Sequence, residues 1–132
     1  MSGAAAGPRE VDRALHTSVR DSAMGMASHD DRVDVLTRRA RRHARKGEYR
    51  KAALALRERV ALTGDARSWV ALGDMLRRAR RIPEAIHALR QGMYLHRQAG
   101  APDRARTVAR MIVALDPWDA KAAQYGAVEK AS

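Results

Sequence analysis

The chain has 132 residues, of which 45% are apolar and 31% charged, and its formal net charge at pH 7 is +11. One domain is expected at this length, and the composition excludes a wholly disordered chain and a membrane protein, because no run approaches the roughly 20 apolar residues of a membrane span. The absence of cysteine excludes a disulfide framework, a zinc–thiolate site and a cysteine nucleophile. The first residues, MSGAAAGPRE, lack the layout of a signal peptide, so we expect a cytoplasmic protein.

Residues 1–32 differ in charge from the rest of the chain. Their formal charge is −1, whereas residues 33–119 carry +11. Apolar residues in this first segment fall roughly on one helical stripe, but Ser18, Ser22 and Gly25 interrupt it, and an isolated short helix is marginal in water. We predict a flexible amino-terminal arm over 1–32, partly helical at most, followed by a folded domain over 33–132.

From Val33 onward, apolar residues recur at three- and four-residue intervals, which predicts helices almost without interruption. The core residues are Ala, Leu, Val, Ile and Met, since Phe is absent. Helix boundaries are marked by glycine stops, an aspartate cap and prolines in first turns. These boundary residues are Gly47, Gly64 and Gly100 as stops, and Asp65, Pro83 and Pro102 as starts. No segment shows a clear strand pattern.

These boundaries divide residues 33–115 into five predicted helices. A sixth helix is predicted after Asp116-Pro117, with Trp118 facing the helix before it. The links between helices have two or three residues, so neighbouring helices must be antiparallel. The expected fold is therefore all-α, with three stacked helical hairpins. They cover 33–63, 66–99 and 102–130, and the last helix, 118–130, caps the stack.

The hairpins repeat at a spacing of 33 residues, which separates Leu36 from Trp69 and Ala52 from Ala85. This spacing is close to the period of about 34 residues in tetratricopeptide arrays. Trp69-x2-Leu72-Gly73, with Ala85 twelve residues after the glycine, resembles the tetratricopeptide signature.

Residues 100–117 resemble the second helix and exit of the same repeat, through Gly100-x4-Ala105 and Leu115-Asp116-Pro117. The resemblance implies a short solenoid in which Gly73, Ala85 and Ala105 allow close helix packing. Trp69 is then expected to be buried between the second and third hairpins.

Two clusters hold much of the positive charge. Like charges three and four residues apart on a helix repel each other, so a bound polyanion would relieve them. The same residues also fit ordinary solvated helix faces, and the sequence leaves both interpretations open. The clusters are Arg38, Arg39, Arg41, Arg42, Arg45, Lys46, Arg50 and Lys51, and then Arg77, Arg78, Arg80 and Arg81.

In the tetratricopeptide family, the first helix of each hairpin lines a concave groove that accepts peptides. The resemblance places eight residues of this chain in such a groove, and five of them are arginines. Guanidinium groups form bidentate contacts with carboxylates, so an acidic peptide is the expected occupant. The groove positions are Thr37, Arg41 and Arg45 in the first hairpin and Arg67, Val70, Asp74, Arg77 and Arg78 in the second.

No catalytic constellation accompanies these residues. The five histidines are dispersed, and no glycine-rich phosphate loop occurs. We therefore expect a non-enzymatic adaptor or scaffold with no cofactor, metal or small-molecule substrate, which binds an acidic peptide or partner subunit through an arginine-lined groove. The alternative is binding of an RNA or DNA backbone, which the sequence pI of about 11.3 favours. Docking on an anionic membrane surface is a third, weaker reading, because the basic helices lack an aromatic edge.

Overall fold

The computed structural model describes residues 28–131, and side chains as far as Tyr125. This part of the chain is all-α, which confirms the predicted fold class, and it contains no strand. The chain divides into two units between Asp34 and Val35. Of the arm predicted over 1–32, residues 1–27 lie outside the described part of the chain. The helices are α1 (His29–Arg45), α2 (Tyr49–Thr63), α3 (Ala66–Arg78), α4 (Ile82–Gln98), α5 (Pro102–Leu115) and α6 (Ala120–Ala131).

Helix α1 begins at His29, four residues before the predicted start at Val33. The hydroxyl oxygen of Ser28 accepts a hydrogen bond from the amide of Asp31 at 3.2 Å, which caps the first turn. Asp30 and Asp31 also place negative charge at the positive end of the helix dipole. The Ser-x-x-Asp pattern was visible in the sequence, and it moves the helix start into the segment predicted as an arm.

Helix ends follow the predicted stops. Gly47, Gly64 and Gly100 all adopt the left-handed conformation, with φ of 76°, 61° and 73°. Arg80, at the turn between α3 and α4, adopts the same conformation with φ of 67° although it is not glycine. The left-handed region is strained for a residue with a Cβ atom.

Replacing Arg80 by glycine is expected to raise the free energy of unfolding by about 0.5–1 kcal/mol, because relief of the left-handed strain exceeds the extra entropy of glycine in the unfolded chain. Urea unfolding of the two proteins measures the difference. The converse change, Gly100→Ala, should lower stability. Equal or lower stability of the Arg80→Gly variant would contradict the claim that the left-handed conformation strains Arg80.

Helices α3 and α4 pack closely because a glycine stands on each side of their contact. A Cβ atom on Gly73 would lie 2.7 Å from the side chain of Leu89, and one on Gly92 would lie 2.5 Å from Val70. These pairs run in opposite directions along the two helices, so α3 and α4 are antiparallel. Ala85 is fully buried in this contact, as the resemblance implied.

The core of the second unit forms two clusters of buried side chains. The first joins the end of α1 to α2, α3 and the start of α4, around Leu56, Leu72 and Leu76. The second joins α4, α5 and the start of α6, around Leu89 and Ile112. Each helix from α2 to α5 packs against the next one along the chain. Helices α2 to α6 therefore form one continuous stack of neighbours.

The predicted position of Trp69 is wrong. Its indole is only half-buried, and it packs against the first cluster instead of lying between the second and third hairpins. The ring meets His87 edge-on, with centroids 6.0 Å apart. The reason is helical spacing: Trp69, Leu72 and Leu76 share the stripe of α3 that contacts the first cluster, whereas Val70 points to the second.

The start of α6 also differs from the prediction. Asp116-Pro117-Trp118 forms a turn, and α6 begins at Ala120 with Asp119 as its cap, since the carboxylate of Asp119 accepts a hydrogen bond from the amide of Ala122 at 3.0 Å. Trp118 therefore does not face α5, and 90% of its surface is exposed.

Candidate functional site

A cleft of about 190 Å³ opens between α1 and α3, and α2 contributes to its lining. We call it the α1–α3 cleft. Apolar side chains, most of them alanines, form its walls, and four polar side chains reach into it. The lining residues are Thr37, Ala40, Arg41 and Ala44 from α1, Leu56 and Arg59 from α2, and Ala71, Asp74 and Met75 from α3.

Helical spacing explains why these residues share one cleft. Thr37, Arg41 and Ala44 stand four and then three residues apart, so they lie on one stripe of α1. Ala71 and Asp74 occupy the corresponding stripe of α3, three residues apart. The alanines keep the space between the stripes open, because larger side chains at those positions would fill it.

Arg59 is a half-buried cation in the cleft. Its Nε atom is buried and has no hydrogen-bond partner among the described residues. An unsatisfied buried donor costs roughly 1–3 kcal/mol, and such groups in native proteins call for an explanation. Arg59 and Arg41 line the same small volume, so an acceptor placed there would meet two guanidinium groups.

The single acid of the cleft is already engaged. The carboxylate of Asp74 accepts a hydrogen bond from Arg77 at 2.6 Å, and the guanidinium of Arg78 lies 3.4 Å from its other oxygen. Arg78 also stands over the ring of Tyr49, 5.7 Å from the ring centroid. Because Asp74 has two cations of its own, it does not neutralise Arg41, and the edge of the cleft keeps an excess of positive charge.

The structure therefore brings together three of the five predicted arginines: Arg41 lines the cleft, and Arg77 and Arg78 stand at its edge through Asp74. Arg45 is exposed at the end of α1 and does not line the cleft.

Two predicted groove positions on α3 lie elsewhere. Arg67 is near the start of α3, where it interacts electrostatically with His96 of α4. Val70 was predicted to face the groove, but it packs into the second core cluster, against the position where Gly92 lacks a side chain. The prediction for Val70 is therefore wrong, because the missing Cβ of Gly92 makes room for this valine in the contact between α3 and α4.

Arg59 was not among the predicted site residues. It belongs to α2, and the resemblance assigns groove positions only to the first helix of each hairpin. A signal was nevertheless present, since Arg59 stands three residues after Leu56 and seven after Ala52, on the apolar stripe of α2. An arginine on an apolar stripe indicates a charged group directed between helices.

His96 is only 7% exposed. Its pKa lies below the usual value of 6.5, first because burial disfavours the charged imidazolium and then because the guanidinium groups of Arg104 and Arg67 repel it. The carboxylate of Asp65 attracts the imidazolium and opposes this shift, but its effect is smaller. The folded state thus prefers neutral His96 more than the unfolded state does. We expect the free energy of unfolding to fall as the pH drops below about 6.5, and the His96→Gln variant to lose less stability over that range. Urea unfolding at a series of pH values measures both; identical profiles would contradict the assignment.

No protein-family model matches the chain, and no curated protein matches it either. Within residues 28–125, no three His, Asp or Glu side chains gather where they could hold a metal ion. Among the helices that the structure describes, none has the length and apolarity to cross a membrane.

Proposed function

We propose that this protein is a non-enzymatic interaction module, a tetratricopeptide-like helical repeat that holds an acidic segment of a partner protein in the α1–α3 cleft. The proposal rests above all on Arg59, whose buried Nε lacks a partner in a cleft that Arg41 also lines. A carboxylate from the partner pairs with the guanidinium groups that Arg41 and Arg59 bring to the cleft. An adaptor or scaffold of this kind acts in the cytoplasm without a cofactor.

The size of the cleft favours a side chain over a small molecule. Sites for small molecules usually enclose about 300–1,000 Å³. The α1–α3 cleft has about 190 Å³, which suits one aspartate or glutamate side chain of a longer peptide. The remainder of the peptide then lies along the exposed faces of α1 and α3, where Arg77 and Arg78 offer further contacts with acidic residues.

The chemistry of the cleft favours a carboxylate over a neutral group. Hydrogen bonds from guanidinium to carboxylate are short, bidentate and about twice as strong as neutral ones. The alanines and Leu56 around Arg41 and Arg59 give the cleft apolar walls, and a charge pair against apolar surface is screened less than one in open water. Asp74 is paired with Arg77 and Arg78, so it repels an incoming acid less than a free carboxylate would.

The test compares an acidic peptide with its neutral counterpart on the full chain. A twelve-residue peptide with alternating Glu and Ala is titrated into isotopically labelled protein, and the same peptide with Gln in place of Glu is the control. We expect the acidic peptide to shift the Nε–H resonance of Arg59 and the amides of Ala44 and Ala71. Equal shifts with both peptides, or shifts confined to residues outside the cleft, would contradict the proposal.

A further inference from the structure

A second cleft, of about 370 Å³, lies between α4 and the beginning of α6. We call it the α4–α6 cleft. Tyr94 and Arg97 line it from α4, and Asp119 and Lys121 line it from the other side. None of these residues belongs to the α1–α3 cleft.

An ion pair between the half-exposed Arg90 and the buried Asp119 borders the second cleft. The Nε atom of Arg90 donates a hydrogen bond to one carboxylate oxygen of Asp119 at 2.7 Å, and the other oxygen accepts from the amide of Ala122. The pKa of Asp119 lies below its usual range because of the Ala122 amide and then the Arg90 side chain, although burial opposes them. Arg90 and Asp119 thus fix the start of α6 against α4.

The same turn presents Trp118 to the outside. The amide of Trp118 donates a hydrogen bond to the carboxylate of Asp116 at 3.1 Å, and the amide of Asp119 donates to the carbonyl of Asp116 at 3.1 Å. Trp118 immediately precedes Asp119, and 90% of its surface is exposed. The exposed indole is therefore carried by a turn that hydrogen bonds hold in place, next to Asp119, which lines the α4–α6 cleft.

A second aromatic ring lies within the cleft. Tyr94 is 53% exposed, and its hydroxyl accepts a hydrogen bond from Gln98 at 2.8 Å. The guanidinium of Arg97 stands over the ring of Tyr125, 4.8 Å from its centroid, which positions this cation beside the cleft. Since Arg90 is neutralised by Asp119, Arg97 and Lys121 supply the net positive charge.

We propose that the α4–α6 cleft binds single-stranded nucleic acid, with bases stacking on Trp118 and Tyr94 and phosphates pairing with Arg97 and Lys121. Exposed aromatic rings beside cations are the features with which proteins bind single strands without sequence preference. The net charge of +11 adds attraction for phosphates. In the sequence these aromatic residues stand apart from the basic clusters, but each has a cation three residues after it, and the fold brings Tyr94, Arg97 and Lys121 to one cleft.

The site favours a single strand over a duplex, because only unpaired bases offer their faces to Trp118 and Tyr94. This proposal is independent of the acidic-peptide proposal. Variants of Arg41 or Arg59 should leave nucleic-acid binding unchanged, and variants of the α4–α6 cleft should leave peptide binding unchanged. Failure of one proposal is thus distinguishable from failure of the other.

The test uses the full chain, a fluorescently labelled dT12 strand and a duplex of the same length. Fluorescence anisotropy gives Kd over a range of salt concentrations. Trp118→Ala and Tyr94→Ala are each expected to raise Kd for dT12 at least about fivefold, with an unchanged salt slope, because each removes stacking but no charge. Leu54→Ala, which also removes an exposed apolar side chain, is the matched control and should leave Kd unchanged.

Lys121→Gln tests the phosphate contacts. It is expected to lower the salt slope by about 0.7, whereas Lys51→Gln, another exposed lysine, should not change it. Circular dichroism verifies that every variant is folded. Retained affinity of Trp118→Ala and Tyr94→Ala, equal affinity for the duplex, or displacement of dT12 from this cleft by an acidic peptide would each overturn the proposal.

Discussion

Replacing Leu89 by alanine is expected to lower the free energy of unfolding by about 3 kcal/mol or more, since the removed atoms leave a cavity that the helices cannot close. Leu89 is 0% exposed, it belongs to the second core cluster, and its side chain lies 2.7 Å from the position that a Cβ on Gly73 would take. Leu89 therefore packs against α3 on one side and against α5 on the other. A single domain has only about 5–15 kcal/mol of stability, so this loss is large.

Urea unfolding followed by circular dichroism measures the change. Leu54→Ala is the matched control, because Leu54 is 60% exposed and its truncation should change stability by less than about 0.5 kcal/mol. Ile112→Val gives a milder test in the same cluster, with an expected cost of about 0.5–1.5 kcal/mol. Equal effects of Leu89→Ala and Leu54→Ala would mean that α4 does not lie at the centre of the stack.

Replacing Arg59 by methionine is expected to weaken binding of the acidic peptide at least about tenfold, because a hydrogen bond to a charged group contributes about 1.5–3 kcal/mol. The free energy of unfolding should stay the same or rise by about 1 kcal/mol, since the change removes a buried donor that has no partner among the described residues. Methionine keeps the unbranched shape and the apolar contacts of the arginine stem.

Isothermal titration calorimetry measures the affinity, and urea unfolding measures the stability. A residue that binds a ligand at a cost to the fold shows opposite signs in the two measurements. A structural arginine would instead lose stability on replacement and leave peptide affinity unaltered. That second outcome would remove Arg59 from the proposed site.

Most of the fold was predictable from local signals. Glycine stops fix the ends of α1, α2 and α4, and Asp65 as a cap and proline in first turns fix the starts of α3, α4 and α5, through backbone geometry that depends on few neighbours. The two misplaced boundaries have the same cause. At each one a nearer cap competes: Ser28 starts α1 earlier, and Asp119 starts α6 later than Asp116 would.

The site was predictable only in part. Arg41 follows from helical spacing together with the family resemblance, and the structure places it in the α1–α3 cleft. Val70 and Trp69 were misplaced because the glycines in the contact of α3 with α4 decide which side of α3 faces which cluster. That information comes from Gly92, twenty-two residues after Val70, and periodicity within one helix does not contain it.

The most direct test of the proposed peptide site is a pair of charge reversals with equal change in net charge. One protein carries Arg41→Glu and Arg59→Glu, and the other carries Arg50→Glu and Lys51→Glu on α2, outside the cleft. Affinity for the acidic peptide is measured at one ionic strength for both. We expect the first protein to lose at least about a hundredfold in affinity, as like charges meet in the cleft, and the second to stay within about threefold. Equal losses in the two proteins would show that the peptide responds to the overall positive charge, and the α1–α3 cleft would not be its site.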